Sequence, residues 1–174
     1  MSETIPFDIE TTGTSPISSR IIMIGIGYEI FFEKDEKELL KDLQFYLKKR
    51  EYKNVRITGW RIKPYDIPFC NIRALKYGIT LPFVNGAFEI EDLADFFFYD
   101  GETIRASDLA DFLGLSKHKE EASHIPDVYL SLTNDALTVE RIKKHVKTNI
   151  EFITELRDRL YACGWLEQTK QKPP

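Results

Sequence analysis

The sequence predicts an α/β protein with a single domain, in which a mixed β-sheet is flanked by helices. Apolar segments of strand type occupy the early part of the chain, and helical patterns alternate with strands after them. Residues 138–163 then carry apolar side chains at the spacing of a long amphipathic helix. This order of elements is typical of a sheet covered by helices.

The individual elements follow from local patterns. Strands are predicted for a first segment ending within residues 7–13, and for residues 21–28, 29–33, 55–60 and 88–93. Helices are predicted for residues 35–49, 65–77, 107–113 and 138–163. Ser107 is the expected N-cap of the third helix, because its hydroxyl can accept from a first-turn amide. The type of residues 94–99 stays open.

Length and composition describe an ordinary globular domain. The chain has 174 residues, of which 43% are hydrophobic and 30% charged. A chain of this length buries about 70% of the surface of its unfolded state. We assign residues 1–166 to the domain and residues 167–174 to a polar C-terminal tail.

Charge and cysteine content bound the environment and the partners. No apolar run approaches the roughly 20 residues that cross a bilayer, so we expect no membrane contact. Two cysteines without ligand-like spacing favour a reducing, cytoplasmic compartment. The net charge of −4 lacks the basic signature of a tight, autonomous DNA-binding protein.

Two acidic residues at the end of the first strand are the main candidates for chemistry. Asp8 and Glu10 are two positions apart, so on a strand they point to the same face. Like charges held this close are unfavourable unless a cation lies between them. Carboxylate oxygens suit Mg²⁺ or Mn²⁺, which makes a metal site the favoured interpretation. The alternative is a solvated strand end.

Three separated segments carry a family resemblance. Residues 7–13 resemble the first motif of the DEDD 3′–5′ exonucleases, within the ribonuclease H-like superfamily. Residues 59–69, with Asp66 as the expected acid, and the following Arg-Ala-Leu resemble the second motif of the proofreading domain of family B DNA polymerases. Residues 145–149 align with the third motif, in which a tyrosine and an aspartate are four positions apart. The resemblance covers nearly the whole chain.

The resemblance implies a ribonuclease H-like fold and two-metal hydrolysis of phosphodiesters at single-stranded DNA or RNA 3′ ends. The implied metal ligands for Mg²⁺ or Mn²⁺ are Asp8, Glu10 and Asp66. Asp8 would bridge two ions, Glu10 and a fourth acid would hold one of them, and Asp66 would support the other. The implied contacts to nucleic acid are Thr11, Arg61, Lys63 and Lys147.

The third motif departs from the family pattern. Asn149 stands where the fourth acid is expected, which removes a negative charge and keeps the shape. A loss of about 3–4 kcal/mol in metal binding or transition-state stabilisation lowers the rate roughly 100- to 1000-fold. His145 replaces the tyrosine and has two interpretations: it activates water, or it fills the space of the tyrosine ring.

Two functions therefore stay open at the level of the sequence. The first is a metal-dependent 3′–5′ exonuclease of reduced activity, with Asp8, Glu10, Asp66, His145 and Asn149 at its catalytic site. The second is an inactive domain of the same fold that binds nucleic acid or a protein of DNA replication or repair. The retained acids favour the first function, whereas Asn149 and the negative net charge favour the second.

Overall fold

The computed structural model describes residues 3–33, 35–50, 54–99, 101–116 and 136–166. Its strands are β1 (Glu3–Thr11), β2 (Ile21–Ile26), β3 (Glu29–Phe31), β4 (Val55–Gly59), β5 (Glu89–Asp92), β6 (Phe98–Tyr99) and β7 (Glu102–Thr103). Its α-helices are α1 (Glu36–Lys48), α2 (Ile67–Lys76), α3 (Ala106–Leu113) and α4 (Ala136–Ala162). The tail assigned to residues 167–174 lies outside the described residues. Within the described ranges, no helix is long and apolar enough to cross a membrane.

A five-stranded mixed sheet in the order β3-β2-β1-β4-β5 forms the centre of the protein. The central strand β1 is antiparallel to β2 and parallel to β4, and β5 is parallel to β4. The short strands β6 and β7 form a separate pair. The prediction of a single α/β domain with a mixed sheet flanked by helices is confirmed.

The two faces of β1 have opposite character. Ile5, Phe7 and Ile9 point to one face, where they join the large core formed with α1 and α2. The residues between them point to the other face, which α4 covers, as expected for the alternation of a strand. Val146 and Ile150 of α4 pack there against β2. Asp8 and Glu10 of β1 therefore lie between the sheet and the last helix.

Gly25 determines how closely α4 approaches the sheet. This residue of β2 is paired with Asp8 of β1. A Cβ atom built at Gly25 would lie 2.5 Å from Val146 Cγ1 and 2.9 Å from Ile150 Cγ1. Any larger residue would push α4 outward, so the glycine sets the separation between the sheet and the helix at the level of the acids.

We expect Gly25→Ala to destabilise the protein by about 1–3 kcal/mol, because the added methyl overpacks the contact between β2 and α4. Urea-induced unfolding at fixed pH measures the change. Gly13→Ala is the matched control, since a Cβ there meets mainly the flexible hydroxyl of Ser19 at 2.6 Å. Equal losses in the two variants would contradict the assigned role of Gly25.

A buried ion pair joins α1 and α2 on the other face of the sheet. Glu36 accepts from the Arg73 guanidinium at Nε (2.9 Å) and Nη2, from Tyr77 Oη (2.9 Å) and from the amide of Ile21 (2.7 Å). Arg73 also donates to the carbonyl of Pro16 at 3.0 Å. Arg73, which belongs to the second sequence motif, therefore has a structural role here.

Two helix starts differ from the predictions. The helix predicted to begin at residue 65 starts earlier as a π-helical turn, Ile62–Asp66, and continues as α2. Ser107 is not the N-cap of α3: Arg105 occupies that position without a side-chain cap, and Ser107 lies inside the first turn. The Arg105 guanidinium instead donates to Asp108 at 2.9 and 3.0 Å, so a side-chain ion pair connects the N-cap residue with the first turn.

Candidate active site

The acidic pair of β1 lies in the buried space beneath α4. Asp8 and Glu10 are 2% and 3% exposed, although both carry carboxylates. Their alternation with the apolar residues of β1 directs both toward α4, as the i, i+2 spacing predicts. A buried acidic pair is unfavourable unless donors or cations compensate it, so the neighbouring groups decide what the site can do.

Asn149 of α4 supplies donors to both acids. Its Nδ2 atom lies 2.9 Å from Asp8 Oδ2 and 3.3 Å from Glu10 Oε1. The side chain is 1% exposed, and its Oδ1 atom is buried without a hydrogen-bond partner. The amide thus faces the acids with its positive end, at the position where the family resemblance implies a carboxylate.

His145 lies one helical turn before Asn149 and contacts the same acid. Its Nε2 atom is 3.0 Å from Glu10 Oε1 and 3.2 Å from Asn149 Nδ2. An ionised carboxylate only accepts, so Nε2 carries the hydrogen when Glu10 is ionised. The lone pair that a general base needs is then absent from the atom that faces the acids. This arrangement favours His145 as a residue that positions Glu10.

Asp66 reaches the same strand from the π-helical turn. Its Oδ1 atom accepts from the backbone amide of Ile9 at 3.2 Å, and Ile9 lies between the two acids of β1. The pairing of β1 with β4 ends at Pro6 and Thr58, so Asp66 satisfies an amide that the ladder no longer reaches. A Cβ atom on Gly59 would lie 2.8 Å from the carbonyl of Phe7, which explains the glycine at this close crossing.

Asp92 holds the second motif in place, a role that sequence reasoning missed. Its carboxylate accepts from the amides of Arg61 (2.8 Å), Lys63 (3.0 Å) and Ala94 (3.0 Å). Arg61 has a positive φ of 58°, which is rare outside glycine, so the chain needs external support here. An aspartate at the end of a strand before a turn indicates a cap for the nearby Ala94 amide, but not the contacts with Arg61 and Lys63.

The four predicted nucleic-acid contacts occupy different settings. Thr11 donates to the carbonyl of Gly13 at 2.8 Å and lies 3.0 Å from Tyr65 Oη, so its hydroxyl ties β1 to the π-helical turn. Arg61 is exposed, and the exposed Lys63 pairs with Asp95 at 2.7 Å. Lys147 is exposed on α4, 4.0 Å from a carboxylate of Glu151. Their role in binding nucleic acid stays a prediction.

The oxygen atoms at this site are of the type that a hard cation prefers. Asp8 and Glu10 offer carboxylate oxygens on one face, and Asn149 Oδ1 is a buried acceptor without a partner. Rotation of the amide would turn this oxygen toward the acids, an orientation that a cation between them would stabilise. Among the described residues, no three His, Cys, Asp or Glu side chains are grouped to hold a metal ion. The Mg²⁺ or Mn²⁺ site therefore stays a prediction.

Comparisons with known proteins agree with this architecture. A family model described as RNase_H superfamily matches residues 5–161. An uncharacterized protein of Methanocaldococcus jannaschii is 27% identical over 171 residues, which cover 92% of this chain and 97% of that protein.

Two solved structures share the fold. The family B DNA polymerase of the hyperthermophilic archaeon Pyrobaculum calidifontis superposes with a TM-score of 0.72 at 16% identity, over 91% of this chain. This chain spans only 24% of that polymerase. A structure described as the apo form of a nuclease gives a TM-score of 0.55 at 15% identity, over 93% of this chain and 75% of that one.

Proposed function

The chain belongs to the RNase_H superfamily, and on that premise we propose that it is a 3′–5′ exonuclease-type protein of reduced activity that engages single-stranded nucleic-acid ends. The observation that carries the proposal is the acidic pair of β1 beneath α4, with Asn149, which aligns with the fourth acid of the resembled family, donating to both acids. Three of the four implied acids are thus present, and a neutral asparagine stands at the fourth position.

The retained acids support a role that involves charge. Asp8, Glu10 and Asp66 are all less than 5% exposed, and burial of a carboxylate is unfavourable. A domain that only needed the fold would be more stable with apolar or amide side chains at these positions. Asp66 also accepts a hydrogen bond from the backbone amide of Ile9, which lies between the other two acids. Chemistry at the end of β1 accounts for the buried charge of Asp8 and Glu10, whereas Asp66 also has the structural role of satisfying the Ile9 amide.

The proposed mechanism assigns separate work to each residue. Asp8 and Glu10 would hold Mg²⁺ or Mn²⁺, and His145 would keep Glu10 oriented through the 3.0 Å contact. Asn149 offers a neutral amide in place of a charged ligand. A bound divalent ion would supply an activated water and neutralise charge on the phosphodiester. The missing charge limits the rate, by roughly 100- to 1000-fold if it is worth about 3–4 kcal/mol.

The test is degradation of a 3′-labelled single strand with Mn²⁺, using DNA and RNA in parallel. We expect slow shortening by the natural chain, and at least a roughly 100-fold further loss in Asp8→Ala, because one of the two carboxylates that face α4 is gone. Asp42→Ala, which removes an exposed acid of α1, is the matched control. Activity that survives Asp8→Ala would contradict the proposed site.

A second candidate function rests on the orientation of the Asn149 amide. Its two contacts compensate Asp8 and Glu10 without a cation, which suits an inactive domain that binds nucleic acid or a replication or repair protein. This alternative expects no Mn²⁺-dependent shortening by the natural chain. It also expects Asp8→Ala to retain the binding of a single-stranded oligonucleotide, measured by fluorescence anisotropy.

A further inference from the structure

A cavity of about 960 Å³ opens beside the N-terminal half of β1, away from the acidic pair. Its position follows from the unequal lengths of two neighbouring strands. β2 ends at Ile26, which pairs with Phe7, so residues 3–6 of β1 extend past the end of β2. The chain then turns away through Gly27 into β3, which pairs on the far side of β2.

The exposed edge of β1 faces this cavity. The amide of Gly27 donates to the carbonyl of Pro6 at 2.8 Å, so the backbone groups of Pro6 point to the side that β2 has left. Backbone groups alternate along a strand, which directs the N–H and C=O of Thr4 to the same side. The parallel pairing with β4 uses the opposite edge.

Helices border the cavity on both faces of the sheet. Tyr46 of α1 and Arg50, two residues past the end of that helix, lie on one side. Ile150 and Thr154 of α4 lie on the other. The cavity therefore continues the plane of the sheet between two helical layers. Its shape is that of a slot for a short extended segment, whose backbone could pair with the N–H and C=O of Thr4 at this edge.

The charges around the slot select its occupant. Five carboxylates line it, from Glu3, Glu29, Glu151, Glu155 and Asp158, against two basic side chains. Both basic groups have local contacts: the Arg50 guanidinium lies 3.7 Å from the centre of the Tyr46 ring, and Lys147 lies 4.0 Å from a carboxylate of Glu151. The acidic excess repels phosphates and attracts ammonium and guanidinium groups.

We propose that this slot binds an extended segment of a partner protein that carries lysine or arginine side chains and adds as a strand beside residues 3–6 of β1. Backbone hydrogen bonds to Thr4 would supply pairing, and the surrounding carboxylates would select basic side chains. The proposal uses none of the acids of the candidate active site. Binding at the slot can therefore be tested independently of the nuclease activity.

The first test measures fluorescence anisotropy of a labelled octapeptide of alternating valine and lysine at low salt. We expect saturable binding that weakens with added salt, whereas the matched valine–glutamate peptide does not bind. Glu29→Lys reverses an exposed charge of the slot and should weaken binding about three- to tenfold. Asp42→Lys, an equal reversal on an exposed position of α1 outside the slot, should leave the affinity unchanged.

A second variant tests the strand pairing itself. Thr4→Pro removes an amide that faces the slot and leaves the edge paired with β4, so binding should fall at least about tenfold while the unfolding midpoint stays near that of the natural chain. Equal binding of the two peptides would overturn the proposal, as would tighter binding of single-stranded DNA or an unchanged affinity in both slot variants.

Discussion

Asn149→Asp is expected to raise Mn²⁺-dependent shortening of a single strand by roughly 100- to 1000-fold over the natural chain. The side chain already lies 2.9 Å from Asp8 and 3.3 Å from Glu10, so the new carboxylate would stand where a third ligand is needed. Shape changes little, because aspartate and asparagine are nearly isosteric. The measurement is the initial rate with a 3′-labelled strand at saturating Mn²⁺.

Without metal, the same substitution should lower the stability of the protein. It replaces a donor by a third carboxylate in a site where Asp8 and Glu10 are already buried, so the unfolding midpoint should fall in the presence of a chelator. Added Mn²⁺ should restore much of the loss by binding the folded state. Asn71→Asp, on the half-buried side of α2, controls for a new charge elsewhere. An unchanged rate together with an unchanged response to Mn²⁺ would contradict the proposed metal site.

Arg73→Ala is expected to destabilise the protein by about 3–5 kcal/mol. The change leaves Glu36 buried without its cationic partner and removes the donor to the Pro16 carbonyl. The hydrogen bond with Glu36 raises the pKa of the Arg73 guanidinium, so its contribution is present below the usual arginine pKa and is lost only when the pH rises through the raised value. Guanidinium chloride unfolding at neutral pH measures the loss.

Lys41→Ala provides the comparison for that experiment. Lys41 pairs with Glu38 at 2.7 Å on the surface of α1, where both side chains are about half exposed. An exposed pair of this kind contributes about 0–1 kcal/mol. A loss in Arg73→Ala as small as the loss in Lys41→Ala would show that the buried pair does not join α1 and α2 as described.

The parts of the site that follow from local periodicity were predictable from the sequence. The i, i+2 spacing of Asp8 and Glu10 fixed their common face, and the i, i+4 spacing of His145 and Asn149 fixed theirs. The mixed sheet and the long last helix are likewise confirmed, because continuous apolar stripes leave few alternatives for burial.

The features that depend on tertiary contacts were not predictable. Asp92 lies about thirty positions from Arg61 and Lys63, and nothing local shows that it accepts from their amides. The orientation of the Asn149 amide depends on two acids of a different element. The π-helical turn follows the positive φ of Arg61, a conformation that propensities disfavour for that residue. Each case is decided by partners that only the folded chain brings close.

The hydrogen bond from the Ile9 amide to Asp66 has a mechanical consequence. It connects the turn that carries Asp66 to the strand that carries Asp8 and Glu10, so all three acids are positioned by the sheet. Asn149 and His145 belong to α4. This helix packs over Gly25 through Val146 and Ile150, and its C-terminal half packs in a second apolar cluster with Trp60 and Leu93. Small movements of α4 would then change the spacing between amide and acids while the acids keep their places. The position of α4 therefore sets the distance between the Asn149 amide and the acids, whereas the sheet sets the distances among the acids.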